Sequence, residues 1–124
     1  MYEMYSTRRT YEREKKLAAS QEPLFALGRI MATPAALESC RKAEVNPIEL
    51  LNRHLFGDWG DLKAQDKRAN DRAVELGARL RSEYELPTGD RLLLITEWDR
   101  SATALLQAGE YHEFSVRATG RYGE

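Results

Sequence analysis

The first strong alternation runs over residues 24–32: Phe25, Leu27 and Met31 fall on one side, and Leu24, Ala26, Ile30 and Ala32 on the other. Apolar residues on both sides of a two-residue period describe a strand covered on both faces, internal to a sheet. Gly28 sits where a bulge or a close backbone approach is suited. Thr33-Pro34 then starts a helix, with Thr33 as N-cap and Pro34 at the first helical position, where a missing N–H costs nothing. Leu37 and Cys40 recur at helical spacing, and the helix should stop near Glu44. A second start lies in Val45-Asn46-Pro47-Ile48-Glu49-Leu50: Asn46 is the cap, Glu49 stands three residues on, and Val45 and Leu50 take the staple positions. Ile48, Leu51 and Leu55 form its apolar stripe, and Gly57 suits its C-terminal stop.

After the loop Asp58-Trp59-Gly60-Asp61, the repeat Ala69, Ala73, Leu76, Leu80, Tyr84 predicts a third helix over residues 62–84, with Glu75 and Arg79 paired on its charged face. Pro87-Thr88-Gly89-Asp90 is a turn. Residues 91–98 form the most apolar strand, Asp99-Arg100-Ser101 reverses the chain, and 102–107 returns antiparallel. Ala108-Gly109 turns again, and the alternation over 113–118 predicts a third strand of a meander. Strand, helices, then hairpin is a segregated order. The expected fold class is α+β: a single domain with a small, mainly antiparallel sheet packed by about three helices. Residues 1–22 stand apart as a charged, Tyr-rich N-terminal arm, and 23–124 form the domain.

A chain of 124 residues with 42% hydrophobic and 31% charged positions suits one globular domain. The net charge of −1 argues against crude electrostatic attraction to nucleic acid. Cys40 is the single cysteine and cannot form an internal disulfide, so a reducing compartment, the cytoplasm, is expected. No apolar run approaches the ~20 residues of a membrane span, and the N-terminal residues lack a signal-peptide core. His54 and His112 show no ligand spacing, there is no GxGxxG or phosphate-loop pattern, and no metal or cofactor is expected.

Two polar loops carry the candidate chemistry. Asp58 and Asp61 are suited to a hard cation or to capping the following helix, with Trp59 either core or exposed anchor. Glu97, Trp98, Asp99 and Arg100 close the most apolar strand; Glu97 and Asp99 would share a face if that strand continued. Together with Asp58 and Asp61 they would serve a metal-dependent nuclease or hydrolase. The plainer reading is an Asp-started turn in which Arg100 pairs an acid. A Ser101–His54–Asp58 triad lacks a nucleophile elbow, and a His near a helix C-terminus is explained by the dipole. Cys40 reads as a small buried hydrophobe. The first two helices could mimic a helix-turn-helix, although Arg53 and His54 are the only cationic residue types on the second.

Three blocks carry a resemblance: Leu24-Phe25-Ala26-Leu27-Gly28-Arg29-Ile30-Met31-Ala32-Thr33-Pro34, then Gly57-Asp58-Trp59-Gly60-Asp61-Leu62, then Ile95-Thr96-Glu97-Trp98-Asp99-Arg100-Ser101-Ala102-Thr103. In this order they resemble a group of small bacterial proteins labelled "plasmid-related protein", sometimes labelled type I restriction endonuclease subunit M. The resemblance spans about Leu24 to Tyr111. Members usually begin near the Leu24 block, so residues 1–22 look like an extension. Their hairpin commonly ends in Leu-Pro-Glu-Glu-Tyr, whereas Leu106-Gln107-Ala108-Gly109-Glu110-Tyr111 lacks the proline. The chain is too short to build the nucleotide-cofactor site of a restriction methyltransferase subunit. The resemblance implies carriage on plasmids or integrated elements. The expected function is a non-enzymatic accessory protein that binds another protein, a component of a host defence system such as restriction or CRISPR. Asp58, Trp59, Asp61, Glu97, Trp98, Asp99 and Arg100 are its expected docking residues, since Trp and Arg dominate interface energetics. The alternatives are the metal-dependent hydrolase and a DNA-binding regulator.

Overall fold

The computed structural model of the chain describes residues 22–111 and the backbone of Tyr2–Glu3. The remainder of the expected 1–22 arm and the strand expected over 113–118 lie outside the described residues. Strand β1 (Tyr2–Glu3) is followed by β2 (Arg29–Ala32), helices α1 (Pro34–Ala43), α2 (Pro47–Leu55) and α3 (Ala64–Leu76), strands β3 (Leu80–Glu85), β4 (Arg91–Thr96) and β5 (Ala102–Gln107), and a 3-10 turn at Ala108–Glu110. The fold is a single small α+β domain. The sheet order is β1-β2-β5-β4-β3. It is mixed: β2 lies parallel to β5, and the other pairings are antiparallel.

Local chemistry sets the helix ends. Thr33 Oγ1 accepts from the Ala36 N–H at 3.1 Å, and Asn46 Oδ1 accepts from Ile48 at 2.9 Å, each with proline opening the helix. At the end of α2, Asp58 N–H donates to the Arg53 carbonyl and Gly57 N–H to that of His54, a Schellman closure around Gly57 at φ +87°.

The expected strand over 24–32 is shorter than its apolar run. Only Arg29–Ala32 pairs; residues 23–28 arrive as a loop, turned at Gly28 with φ +66°. The expected close approach is there: a Cβ on Gly28 would collide with the Arg100 and Ser101 backbone. The larger difference is the third helix. It stops at Leu76, where Gly77 takes φ +71° and Ala78 N–H closes onto the Ala73 carbonyl. Residues 80–85 are then a strand. Leu80 and Tyr84 are four apart, a spacing that a helix shares with a strand, and the strand reading needs Ser82 between them to be buried. It is. The helix therefore buries Asn70 and Ala73, leaves Leu76 exposed, and frees Arg79 to pair with Glu97 at 4.0 Å rather than with Glu75.

The helices cover one face of the sheet. Ala36, Cys40, Ile48, Leu51 and Leu55 pack on Ala32, Leu92, Leu94 and Leu105 in one core cluster, and Ala73 packs with Trp59 on Leu80. Each fully buried Leu or Ile contributes ~1.5–3 kcal/mol. Alternation places Leu93, Ile95, Ala104 and Leu106 on the opposite face, also buried. That explains the continuous apolar run 92–95: β4 is flanked by β3 and β5 and covered on both sides. β5 likewise has both edges filled, by β2 and β4.

Gly60, at φ +77°, lies against the Glu83 carbonyl and the Tyr84 ring, where a Cβ would overlap both. Gly60→Ala should therefore cost at least about 2 kcal/mol of unfolding free energy in a urea titration. A Gly77→Ala control, whose Cβ meets nothing within 4 Å, should cost less.

Candidate functional site

His54 is the centre of a hydrogen-bond chain in the core. Its Nδ1 lies 2.5 Å from Ser82 Oγ and its Nε2 2.9 Å from Thr96 Oγ1. Thr96 Oγ1 lies 2.7 Å from Thr103 Oγ1, which donates to the Leu27 carbonyl at 2.7 Å. The carbonyl can only accept, and this orients every proton. Thr103 spends its hydrogen on Leu27, so Thr96 donates to Thr103. Thr96 must then accept from Nε2–H, leaving Nδ1 as an acceptor for the Ser82 hydroxyl. His54 is a neutral Nε2–H imidazole. Burial pulls its pKa from 6.5 to about 3, with the nearby Arg100 cation acting in the same direction.

A hydroxyl against an imidazole nitrogen has the outline of a nucleophile and its base. Here Ser82, His54, Thr96 and Thr103 all have 0% relative exposure, so no substrate reaches them in this conformation. Phe25 and Trp59 close the ring edgewise at centroid distances of 5.2 and 5.6 Å. Cys40 is similarly withdrawn, its thiol pushed up to about 11 by burial. His54 bonds neither Ser101 nor Asp58, so the triad drawn from the sequence is not assembled.

The loop at 58–61 is consumed by structure. Asp58 takes Arg53 through Oδ2 at 2.7 Å and Oδ1 at 3.3 Å, and accepts from the Gly60 N–H. The Arg53 hydrogen bond holds its carboxyl below the usual range. Arg53 also lies over the Tyr84 ring at 4.5 Å, so the arginine of the second helix is engaged at home. Trp59 is 2% exposed and donates Nε1–H to Asp71 at 2.9 Å. Of the two roles expected for it, Trp59 takes the core one, and the exposure that a docking anchor requires is absent. Asp61 Oδ2 accepts from the Glu85 amide at 2.7 Å.

The loop at 97–101 divides. Arg100, at φ +60°, donates to the carbonyls of Ala78 (2.6 Å), Ala73 (3.0 Å) and Glu97 (3.2 Å). It ties the β4–β5 turn to the C-terminal end of α3, where the helix dipole favours a cation. The expected carboxylate partner is thus replaced by carbonyls, and Arg100 is scaffold. Asp99 Oδ1 accepts from the Ser101 amide, closing an Asx turn. The strand ends at Thr96, short of Glu97 and Asp99, while Trp98 stands 55% exposed.

The two acid pairs do not converge. Asp61 is bound at the Glu85 end of β3, and Glu97 follows Thr96, whose cross-strand partner is Leu80 at the other end. Five strand steps of ~3.4 Å separate those positions by about 17 Å, against metal–oxygen distances of about 2–2.6 Å. Among the described residues no group of three or more His, Cys, Asp or Glu side chains is placed to hold a metal ion. No helix among them is long and apolar enough to cross a membrane. No protein-family model, no curated protein and no solved structure matches the chain.

The sequence reading missed Ser82, Thr96, Thr103 and Asn70, polar residues that became buried partners. It also missed Leu24 and Leu76, which with Trp98 are the exposed large hydrophobics at 46, 78 and 55%. Leu76 and Trp98 lie on the two segments that Arg100 ties together, whereas the Leu24 side chain lies against Gly57. Leu24 N–H bonds the Leu55 carbonyl at the end of α2; the Arg100 guanidinium holds the ends of α3 and β4 together and lies 5.6 Å over the Phe25 ring.

Because folded His54 stays neutral while the unfolded chain binds a proton below pH 6.5, the unfolded state holds more protons throughout that window. Stability should be flat above neutrality and decline below about pH 6, approaching 1.4 kcal/mol per pH unit by about pH 4.5. His54→Gln should be less stable at pH 7 and should flatten that interval in denaturation titrations at fixed pH. A profile with equal slope in both proteins would contradict the buried neutral imidazole.

Proposed function

We propose that this chain is a non-enzymatic accessory protein that acts by contact with another protein. The observation that carries the reading is the exposure of Leu76 and Trp98 on two segments that Arg100 ties together. A single exposed Leu is ordinary; an exposed Leu and an exposed Trp on joined segments, the Trp followed by the exposed Asp99, have the composition of a binding patch. Trp98 is the anchor. It is the one expected docking aromatic that remains at the surface, and Trp is among the residues that dominate binding energy. Arg100 supports this surface by holding its loop in place.

The resemblance to plasmid-related proteins supplies the setting: a mobile genetic element, with a protein of a host defence system such as restriction or CRISPR as the class of partner. That step rests on association with the group.

The test is capture of a defence component from a host that carries the element. Leu76→Ala/Trp98→Ala should leave the melting temperature at or above that of the wild type, because both side chains are exposed, yet reduce capture at least tenfold, the effect of ~1.4 kcal/mol. Arg41→Ala/Lys42→Ala, on exposed positions of α1, should capture normally. Equal capture by both double variants would refute the patch as the docking surface.

A further inference from the structure

We propose that residues 23–27 are an acid-opened flap over His54, hinged at Gly28, and that a proton reaches the imidazole through this flap without unfolding of the sheet. The walls around the imidazole are unequal. Trp59 is fixed: its ring is 2% exposed, its Nε1–H is held by Asp71, and its carbonyl takes the Glu83 N–H. Ser82 and Thr96 belong to the β3–β4 ladder. Phe25 stands on a segment that precedes the first residue of β2, and its ring is only half-buried. It meets His54 edgewise at 5.2 Å, stacks on Trp59 at 6.3 Å and lies 5.6 Å from the Arg100 guanidinium, all contacts without a hydrogen bond. The segment is tied by the Leu24 N–H to the Leu55 carbonyl at 3.1 Å and by Thr103 Oγ1 to the Leu27 carbonyl at 2.7 Å. Firm anchorage begins at Gly28, pressed against the Arg100 and Ser101 backbone, and continues with Arg29 N–H on the Ser101 carbonyl at 3.0 Å.

The same segment thus carries the weaker wall, Phe25, and the last acceptor of the proton chain, Leu27. With the flap closed, the Ser82 hydroxyl occupies Nδ1, and a second proton on the ring has no partner to stabilise it. The groups that meet the ring are uncharged: Ser82 from β3, Thr96 from β4, Phe25 from the flap and Trp59 from the 58–61 loop. Tyr84, two residues beyond Ser82, spends its hydroxyl proton on the Asp58 carbonyl. Arg100, from the β4–β5 turn, is a cation and opposes a second positive charge. With the flap open, water restores the ordinary proton affinity of an imidazole. Acid therefore draws the equilibrium toward the open form, because that form alone binds the proton.

The test is native-state hydrogen exchange of the full-length chain, read by NMR and corrected for intrinsic rates. The Leu24 amide should open at lower free energy than the amides of β4. Its protection should fall about thirtyfold from about pH 7.5 to about pH 5, the ratio for a group that titrates near 6.5 in the open form only. The Arg29 amide, beyond the hinge, should stay better protected than Leu24. In His54→Gln the Leu24 amide should lose its dependence on pH. A Leu24 protection that is equal at both pH values overturns the proposal, as does a Leu24 amide that exchanges only together with β4. So does an Arg29 amide that follows Leu24, or a His54→Gln protein that keeps the full dependence. Should His54→Gln fail to fold, Phe25→Leu is read instead: a smaller cover should speed Leu24 exchange relative to β4 at both pH values, and an unchanged ratio overturns the flap.

Discussion

A buried imidazole has two ring nitrogens to satisfy, and His54 satisfies both across the whole domain. One nitrogen reaches β3 at Ser82, the other β4 at Thr96, and the chain continues through β5 at Thr103 to the Leu27 carbonyl before β2. A slip of one residue in any of these strands would turn its hydroxyl to the other face and leave a buried partner unbonded, at about 1–3 kcal/mol each. The network therefore links the seating of α2 to strand register. Hydrophobic contacts alone would tolerate Leu92 and Leu94 exchanging neighbours more readily, since apolar packing is not directional.

The polar residues that looked most reactive in the sequence serve the same kind of constraint. Arg100 adds side-chain donors to the Ala73, Ala78 and Glu97 carbonyls where α3 ends and the β4–β5 turn begins. Asp58 and Asp61 satisfy backbone amides of a loop and of an edge strand. Each is a charge committed to backbone polar groups of its own chain. Carboxylates so committed are separated along β3, and a histidine so committed is sealed by Phe25 and Trp59.

Features set by residues adjacent in sequence were legible beforehand. The Thr33-Pro34 and Asn46-Pro47 starts, the Gly57 stop and the apolar stripe of α2 all depend on chemistry within one or two turns. The α+β order and the central place of residues 91–96 followed from periodicity and segregation. β3 was not legible, because Leu80 and Tyr84 satisfy both a helical and a strand period, and Ser82 counted as polar when its hydroxyl was in fact destined for His54. Gly77 was the available signal: a residue suited to a left-handed stop, next to a Leu76 that the structure leaves in solvent. The roles of Trp59 and Arg100 depended on partners 12 to 27 residues away, Asp71 for one and the Ala73 and Ala78 carbonyls for the other, and no local pattern encodes such contacts.

The contrast between buried and exposed groups gives the functional argument its direction. The fold meets Arg53, Asp58, Asp61 and Arg100 with specific partners, caps the edge of β3 group by group, and withdraws His54 and Cys40 from solvent. Against that economy, Trp98 and Leu76 stand in water at an end where Arg100 has already fixed the turn and the helix terminus that carry them. A rigid support beneath an exposed aromatic lowers the ordering cost of binding, because the loop need not be immobilised by the partner. Removing Arg100 would therefore loosen the patch and lower stability together, whereas removing Trp98 would act on binding alone. Under the proposed reading, that asymmetry would separate a scaffold residue from a contact residue within the 97–101 loop.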